Sequence, residues 1–261
     1  MWPSRFLSRF CAALAFCVAA SAASAEPLAL HYSATWGGGR AAEIRLLLDE
    51  NGTMFRNQLD LKTVGLAWLL SGFKLHAISI GESDVEVAPR TFDAFYDSKR
   101  RHDKRINLEF VDLTNGSVAE KGPNNSSTDP PLPEEFRRDV IDPLTSITAI
   151  RRLVRGRSMD RMKGFNLAVY DGKRRFDVEG SVTSTETLHW RGKRVPSINL
   201  RLVLRPVAGF DGTSDDEHKP DATPRELEVT LTNDARAIPI RMSVPIAYVP
   251  AVIVLERDTK L

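Results

Sequence analysis

Alternation of apolar and polar residues runs through the chain and predicts β-strands. Between residues 28 and 36, Leu28, Leu30 and Tyr32 alternate with small or polar residues, the period of a half-buried strand. Apolar runs on both sides of Asn51-Gly52 predict a hairpin, because this dipeptide favours a tight two-residue turn. The same pattern predicts further strands at 73–80, 83–87, 91–96, 106–113, 165–170, 174–182, 185–190, 198–205, 227–231, 238–244 and 248–256.

One stretch has the period of a helix, at about 143–155. Asp142 is a suitable N-cap, Pro143 fits the first helical position and Gly156 fits the end. Apolar residues recur at helical spacing, which predicts that one face packs on the sheet: Leu144, Ile147, Ile150 and Val154.

About a dozen short strands with one main helix predict a mainly β fold. We expect a strongly curved antiparallel sheet or a (half-)barrel, because closure removes exposed strand edges. A barrel of this strand number can leave room for an internal ligand. No linker or repeat divides the chain, so residues 26–261 are predicted to form a single domain.

Residues 64–73 form an uncharged apolar segment directly after the predicted hairpin, which places it near the barrel mouth. Thr63 could cap a short helix there. The segment is predicted to be a plug in the core; the alternative is a mobile lid that touches a bound apolar chain. The candidate ligand-binding residues are therefore Trp36, Leu66, Trp68, Leu69, Leu70 and Phe73.

Residues 1–25 are predicted to be a cleavable signal peptide. Arg5 and Arg9 accompany an apolar stretch at 10–20 that is too short to span a bilayer. Small residues then lead to expected cleavage after Ala25, which predicts a periplasmic protein. Cys11 and Cys17 both lie in this peptide, so no disulfide is expected in the mature chain.

The overall charge of the chain argues against nucleic acid and anionic membranes as partners. The chain has 36 basic and 34 acidic residues. This balance predicts no electrostatic footprint for nucleic acid or for an anionic membrane. After the signal peptide, no apolar run reaches the length of a transmembrane helix.

Catalytic chemistry is not indicated. The five histidines are scattered without metal-binding spacing, and no Gly-x-Ser-x-Gly motif occurs. The acidic loop at 211–223 misses the EF-hand spacing, which favours a solvated loop over a calcium site. We therefore expect no catalytic residue, metal or cofactor, and hence no enzyme.

A basic cluster covers the C-terminal end of the predicted helix and the residues after it, and it has two interpretations. The side chains could coat its outer face and complement its C-terminus, or they could contact an anionic headgroup or partner. The cluster comprises Arg151, Arg152, Arg155, Arg157, Arg161 and Lys163.

Several short motifs, in order, resemble the bacterial envelope proteins of domain of unknown function 3108. They are Tyr32-Ser-Ala-Thr-Trp36-Gly-Gly, Leu61-Lys-Thr-Val-Gly65-Leu, Pro89 with Phe92, Asp142-Pro143-Leu-Thr-Ser, Tyr170-Asp171-Gly172-Lys-Arg-Arg and Ile238-Pro239-Ile-Arg241. Ala247 stands where the resemblance leads us to expect glycine. The resemblance implies an exported β-rich domain without established catalytic residues, similar in fold to lipoprotein-localisation carriers.

These observations predict a periplasmic, non-catalytic protein that binds or carries a lipid, a lipoprotein or another apolar envelope component. Two alternatives remain open. One is an envelope-integrity or assembly factor that contacts another protein, for example by strand addition. The other is a hydrolase with a dispersed site.

Overall fold

The structure, a computed structural model, describes residues 26–112, 116–122, 131–155, 164–210, 222–246 and 249–260. The strands in these ranges are β1 (Leu28–Trp36), β2 (Gly39–Asn51), β3 (Met54–Thr63), β4 (Lys74–Glu82), β5 (Ala88–Asp97), β6 (Lys104–Asp112), β7 (Ser117–Lys121), β8 (Phe165–Tyr170), β9 (Arg175–Trp190), β10 (Lys193–Ala208), β11 (Arg225–Thr232), β12 (Pro239–Ile246) and β13 (Val249–Lys260). The helices are α1 (Gly65–Ser71), α2 (Glu134–Arg137) and α3 (Pro143–Val154).

All thirteen strands form one antiparallel sheet in the order β7-β6-β5-β4-β3-β2-β1-β13-β12-β11-β10-β9-β8. Nearly every strand pairs with its neighbour in sequence, and pairing of β1 with β13 joins the two halves of the chain. Tight turns make these hairpins. Gly37 and Gly38, between β1 and β2, have φ values of 57° and 81°, which glycine adopts without a steric penalty.

The segment before α3 bridges the two sheet edges, β7 and β8. Arg138 forms an isolated bridge with Val118 of β7, and Ile141 forms a parallel bridge with Val169 of β8. The backbone N–H of Ile141 donates to the carbonyl of Ala168 at 2.9 Å. The sheet is therefore nearly closed into a barrel.

Helix α3 lies against the inner face of this barrel. The side chain of Asp142 caps it by accepting hydrogen bonds from the backbone N–H groups of Leu144 and Thr145, at 2.8 and 2.9 Å. Leu144 and Val154, at its two ends, belong to different clusters of the core. Ile147, between them, packs against a third cluster around β1 and β2. The helix therefore connects the core across the barrel.

The predicted fold class is confirmed: a mainly β, strongly curved antiparallel sheet with one main helix. That helix spans 143–154, against a predicted 143–155. Helix α1 is the short helix predicted within 64–73, and it lies at one end of the barrel. We call this end the mouth; it carries the β1–β2 turn, α1 and the β5–β6 loop. The opposite end, which carries the β2–β3 turn and residues 83–87, is called the closed end.

Some strand predictions were wrong. Residues 83–87 form a turn between β4 and β5 instead of a strand. The ranges 174–182 and 185–190 belong to one strand, β9, because an extra residue at Thr183 breaks the alternation there. Strand β7, with five residues, was not predicted.

Two predicted features fall wholly or mostly outside the described residues. The signal peptide, 1–25, lies entirely outside them. Most of the acidic loop at 211–223 does too. Within the described ranges, no helix is long and apolar enough to cross a membrane.

Candidate functional site

An apolar cavity of about 270 Å³ lies inside the barrel, between α3 and the inner face of the sheet. Its wall combines side chains from seven strands with two isoleucines of the helix, Ile147 and Ile150. The strand residues in the wall are Tyr32, Ile44, Leu46, Leu59, Leu61, Leu202, Val229, Leu231, Pro239, Arg241, Met242 and Ile253. Arg151 of the helix completes it.

The register of β2 and β3 places this cavity on the mouth side of α3. Ile44 pairs with Leu61 and Leu46 pairs with Leu59, and all four residues line the cavity. The next inward pair towards the closed end is Leu48 with Asn57. There the Asn57 amide donates to α3, to the Leu144 carbonyl at 3.0 Å and the Thr148 hydroxyl at 2.8 Å. The helix therefore bounds the cavity on its closed-end side.

Of the three polar side chains in the wall, two, Tyr32 and Arg151, have their polar atoms engaged with protein groups. The Tyr32 hydroxyl donates to the carbonyl of Pro239 at 2.9 Å. Burial raises the pKa of Tyr32, with Arg151 opposing the shift, so the phenol is neutral at physiological pH. The Arg151 guanidinium donates to the carbonyls of Ala237 and Arg236, and to Glu50. Both residues are thus satisfied without a ligand.

Arg151 nevertheless keeps its charge. Burial lowers its pKa to about 10, and the carboxylate of Glu50 opposes this shift. A pKa of about 10 leaves the guanidinium protonated at neutral pH. Its ion pair with Glu50 lies at the closed end, so the cavity borders a neutralised charge.

The sequence-predicted site residues lie together at the mouth, and none of them lines the cavity. Leu66, Leu69 and Leu70 of α1 are 69%, 65% and 68% exposed. Trp36 and Trp68 are each 43% exposed. Phe73, just after α1, is half-buried, and its ring centroid lies 6.4 Å from that of Tyr96.

The predicted plug role of 64–73 is wrong, because α1 contains no buried residue. The predicted capping by Thr63 is also wrong: the N-cap is Val64, without a side-chain hydrogen bond. The Thr63 hydroxyl instead donates to the carbonyl of Phe73 at 3.2 Å, which joins the two ends of the segment. The interior position predicted for this segment belongs to α3.

Three arginines of the basic cluster lie in the described residues, and their side chains contact other parts of the chain. Arg151 is buried. Arg155 donates to Glu50 at 2.6 Å, and Arg152 donates to the carbonyls of Ser83 and Asp84. These three arginines therefore tie the end of α3 to neighbouring strands and turns. The remaining members, Arg157, Arg161 and Lys163, lie outside the described residues.

Titratable side chains that could support catalysis or metal binding are dispersed in the described ranges. His76 contacts Asp60 at 2.6 Å and His102 contacts Asp97 at 3.1 Å, both on the outer surface. No group of three or more potential metal-ligating side chains occurs among these residues. Ser79 is buried, and its hydroxyl donates to Asp142 at 2.8 Å, in the structural N-cap of α3.

Sequence patterning had identified many of the cavity residues as inward-facing without identifying a cavity. Leu59, Leu61 and Ile44 belong to the apolar phase of their strands, and Ile147 and Ile150 lie on the predicted packing face of the helix. Alternation reports which side of a sheet a residue occupies. It does not report whether the space on that side is filled.

The fold and this cavity define a β-barrel-like protein with a small apolar interior. A family model described as "Protein of unknown function (DUF3108)" matches residues 31–256, and the chain belongs to that family. The predicted family resemblance is thereby confirmed. No curated protein matches the chain.

Two solved structures are similar in fold. One is the crystal structure of a β-barrel-like protein of domain of unknown function DUF1849 from Brucella abortus. It aligns over 90% of this chain and 98% of its own, at 10% identity and a TM-score of 0.55. The other is a candidate lipoprotein from Parabacteroides distasonis, at 7% identity and a TM-score of 0.37 over 90% and 96% of the two chains. The first supports the fold, and the second is too distant to carry an argument.

Proposed function

We propose that this protein is a periplasmic, non-catalytic carrier that holds the apolar part of a lipid, a lipoprotein or another envelope component in its barrel. The observation that carries the proposal is the apolar cavity between α3 and the sheet. Apolar surface leaves water favourably, so such a cavity binds hydrocarbon more readily than polar molecules.

The size of the cavity limits what it can hold. At about 270 Å³ it has the volume of roughly nine water molecules, slightly below the usual range for ligand pockets. One hydrocarbon segment would suit this volume better than a whole lipid. Because the polar atoms of Tyr32 and Arg151 are engaged elsewhere, we expect an apolar tail to enter the cavity while its headgroup stays outside.

Export supports the same proposal. The basic residues and short apolar stretch at 1–25, with small residues before Glu26, are typical of a signal peptide. A carrier of apolar molecules is useful in an aqueous compartment between membranes. The absence of a catalytic role is part of the proposal, motivated by the dispersed histidines and the missing nucleophile motif.

Native mass spectrometry of the protein purified from the periplasm tests this function. We expect a discrete mass excess that organic extraction identifies as a lipid, and displacement of that mass by acyl probes. Purification without any bound lipid, together with failure to bind acyl probes, would overturn the proposal. Crosslinking in the periplasm distinguishes the alternative: a specific protein adduct without bound lipid supports an assembly factor.

A further inference from the structure

Helix α1 exposes apolar side chains that the fold does not use. It is fixed through its ends: the N–H of Val64 donates to the Ala41 carbonyl at 2.8 Å, and the N–H of Lys99 donates to the Ser71 carbonyl at 2.9 Å. No side chain of the helix is buried, and its three leucines are each at least 65% exposed. Exposed clusters of large apolar side chains are typical of interaction sites.

Two tryptophans lie at the same end of the barrel. Trp68 belongs to α1, and the ammonium of Lys74 lies 5.4 Å from its ring centroid. Trp36 ends β1, and its indole N–H donates to the Val249 carbonyl at 3.0 Å. Tryptophan is frequent where proteins meet the lipid–water interface, because it combines an apolar ring with a polar N–H group.

The charge around α1 differs from that of the whole chain. Three segments meet at this helix: 40–43, 62–74 and 97–104. They carry seven basic residues, Arg40, Lys62, Lys74, Lys99, Arg100, Arg101 and Lys104, and three acidic residues, Glu43, Asp97 and Asp103. The near-neutral total of 36 basic and 34 acidic residues conceals this local excess. Part of it is compensated, because Arg40 pairs with Glu43 and Glu256 and Lys62 pairs with Glu43, which leaves the excess on the basic residues of 74–104. The prediction from net charge therefore does not extend to the mouth.

We propose that the mouth docks on an anionic membrane surface. The docking face consists of Leu66, Trp68, Leu69 and Leu70, together with the basic residues named above. Its leucines would enter the headgroup region while lysines and arginines contact lipid phosphates, the arrangement of interfacial helices. This docking extends the proposed carrier function and rests on it in one respect. A docked mouth would face the membrane that supplies the apolar cargo.

A membrane fits this face better than a folded protein partner does. The side chains project from one short helix that has no buried residue, and the ammonium groups of Lys74 and Lys99 contact this helix. A fluid bilayer accommodates such a projection without a matching pocket, and its anionic headgroups complement the basic residues. A protein partner would need a complementary groove of opposite charge.

Flotation with lipid vesicles tests the docking. We expect the purified protein to float with vesicles that contain phosphatidylglycerol, and much less with pure phosphatidylcholine vesicles. Leu69→Asp should weaken this binding by roughly tenfold, because it places a charge where an apolar side chain would enter the membrane. Brominated lipids should quench the fluorescence of Trp68, and a Trp68→Phe variant identifies its share of the signal.

Matched control variants at the closed end make the test specific. Val85, in the turn before β5, is 86% exposed, and Val85→Asp adds the same charge far from the mouth. Arg100→Glu should weaken binding more than Arg56→Glu, an exposed position in the closed-end half of β3. No flotation with anionic vesicles, or equal losses for Leu69→Asp and Val85→Asp, would overturn the proposal. Crosslinking of α1 to a protein without vesicle binding would overturn it in favour of a protein partner.

Two measurements distinguish a failure of the carrier function from a failure of the membrane docking. Binding of a soluble fatty-acid probe without vesicles reports on the cavity, and Leu69→Asp should leave that binding unchanged. If the wild-type protein binds vesicles but no probe, the carrier function fails and the docking remains. If it binds the probe but no vesicles, the docking fails and the carrier function remains.

Discussion

Arg151 of α3 and Glu50 at the end of β2 form an ion pair in the closed end of the barrel. The two side chains are 4% and 14% exposed, so the pair has little contact with water. Arg155 donates to the second carboxylate oxygen of Glu50 at 2.6 Å. One carboxylate thus accepts from two guanidinium groups at the end of α3, and it fixes the part of the helix that bounds the cavity.

We predict that Glu50→Gln lowers the free energy of unfolding by about 3 kcal/mol, because it leaves the buried Arg151 charge without a counter-ion. Arg205→Gln is the control, since it breaks an ion pair with Glu179 whose partners are 51% and 45% exposed. That loss should be much smaller, because water screens an exposed ion pair. Urea unfolding measures both changes. Equal losses for the two variants would show that the buried pair does not stabilise the helix.

Asp142 predicts a dependence of stability on pH. Burial raises the pKa of this carboxyl, and hydrogen bonds from Thr145, Ser79 and Leu144 oppose the shift. The folded state therefore binds a proton more tightly than the unfolded state, whose carboxyl has the ordinary value of 3.8. This contribution to stability is fully present below 3.8 and is lost as pH rises through the raised folded-state pKa.

The neutral variant Asp142→Asn isolates this effect. Its amide can still accept hydrogen bonds at the N-cap, but it has no proton to lose in this range. We expect the stability of the variant, relative to wild type, to increase as the pH rises above 3.8, because only the wild-type carboxyl then loses its stabilising proton. Denaturant unfolding across this range measures the difference. A pH-independent difference would contradict the raised pKa. Asp142→Ala should show the same pH dependence relative to wild type, and it should be less stable than Asp142→Asn by about 1 to 2 kcal/mol through the lost cap.

Local patterns in the sequence predicted much of this fold, because the strands of a barrel with one apolar face alternate between apolar and polar residues. Apolar and polar residues alternate in β1 and β2, and Asp142 and Pro143 mark the start of α3. The contacts that place α3 inside the barrel were not predictable. Arg151 and Glu50 lie 101 positions apart, and arginines near the end of a helix are typical of a solvated surface.

Composition also could not determine the role of α1. A buried plug and an exposed docking segment both require an uncharged apolar run, so 64–73 fits either. Its location near the mouth followed from its place after a hairpin. Its exposure depends on how α3 fills the interior, which no local pattern records.

Filling the cavity should reduce ligand binding without unfolding the protein. Ile253 lines the cavity, whereas Val254, its neighbour in β13, is 38% exposed on the outer face. We expect Ile253→Phe to weaken the binding of an acyl probe at least tenfold, about 1.4 kcal/mol, because the ring occupies the space of the ligand. Val254→Phe should leave the affinity unchanged. Fluorescence titration measures both.

A folding control is needed for this variant, because extra volume in a core costs about 1 to 3 kcal/mol. Leu61→Phe, in β3, offers a second way to fill the same cavity. Circular dichroism checks that each variant is folded. If folded Ile253→Phe and Leu61→Phe both bind the probe as well as wild type does, the ligand does not occupy this cavity.

Gly180 and Phe165, paired between β9 and β8, lead to a last prediction about the edge of the sheet. A Cβ atom at Gly180 would lie 2.0 Å from Cζ of Phe165, so the ring covers the glycine. Gly180→Ala should displace this ring from the core and lower the free energy of unfolding by about 1 to 3 kcal/mol. Gly39→Ala is the matched strand control, because its nearest neighbour, the Trp36 carbonyl, is 3.8 Å away. If the midpoint temperature of unfolding falls equally for both variants, the packing of the Phe165 ring does not require a glycine at position 180. If it shifts for Gly180→Ala alone and Phe165→Leu restores part of the loss, this contact stabilises the β8 edge next to the bridging segment.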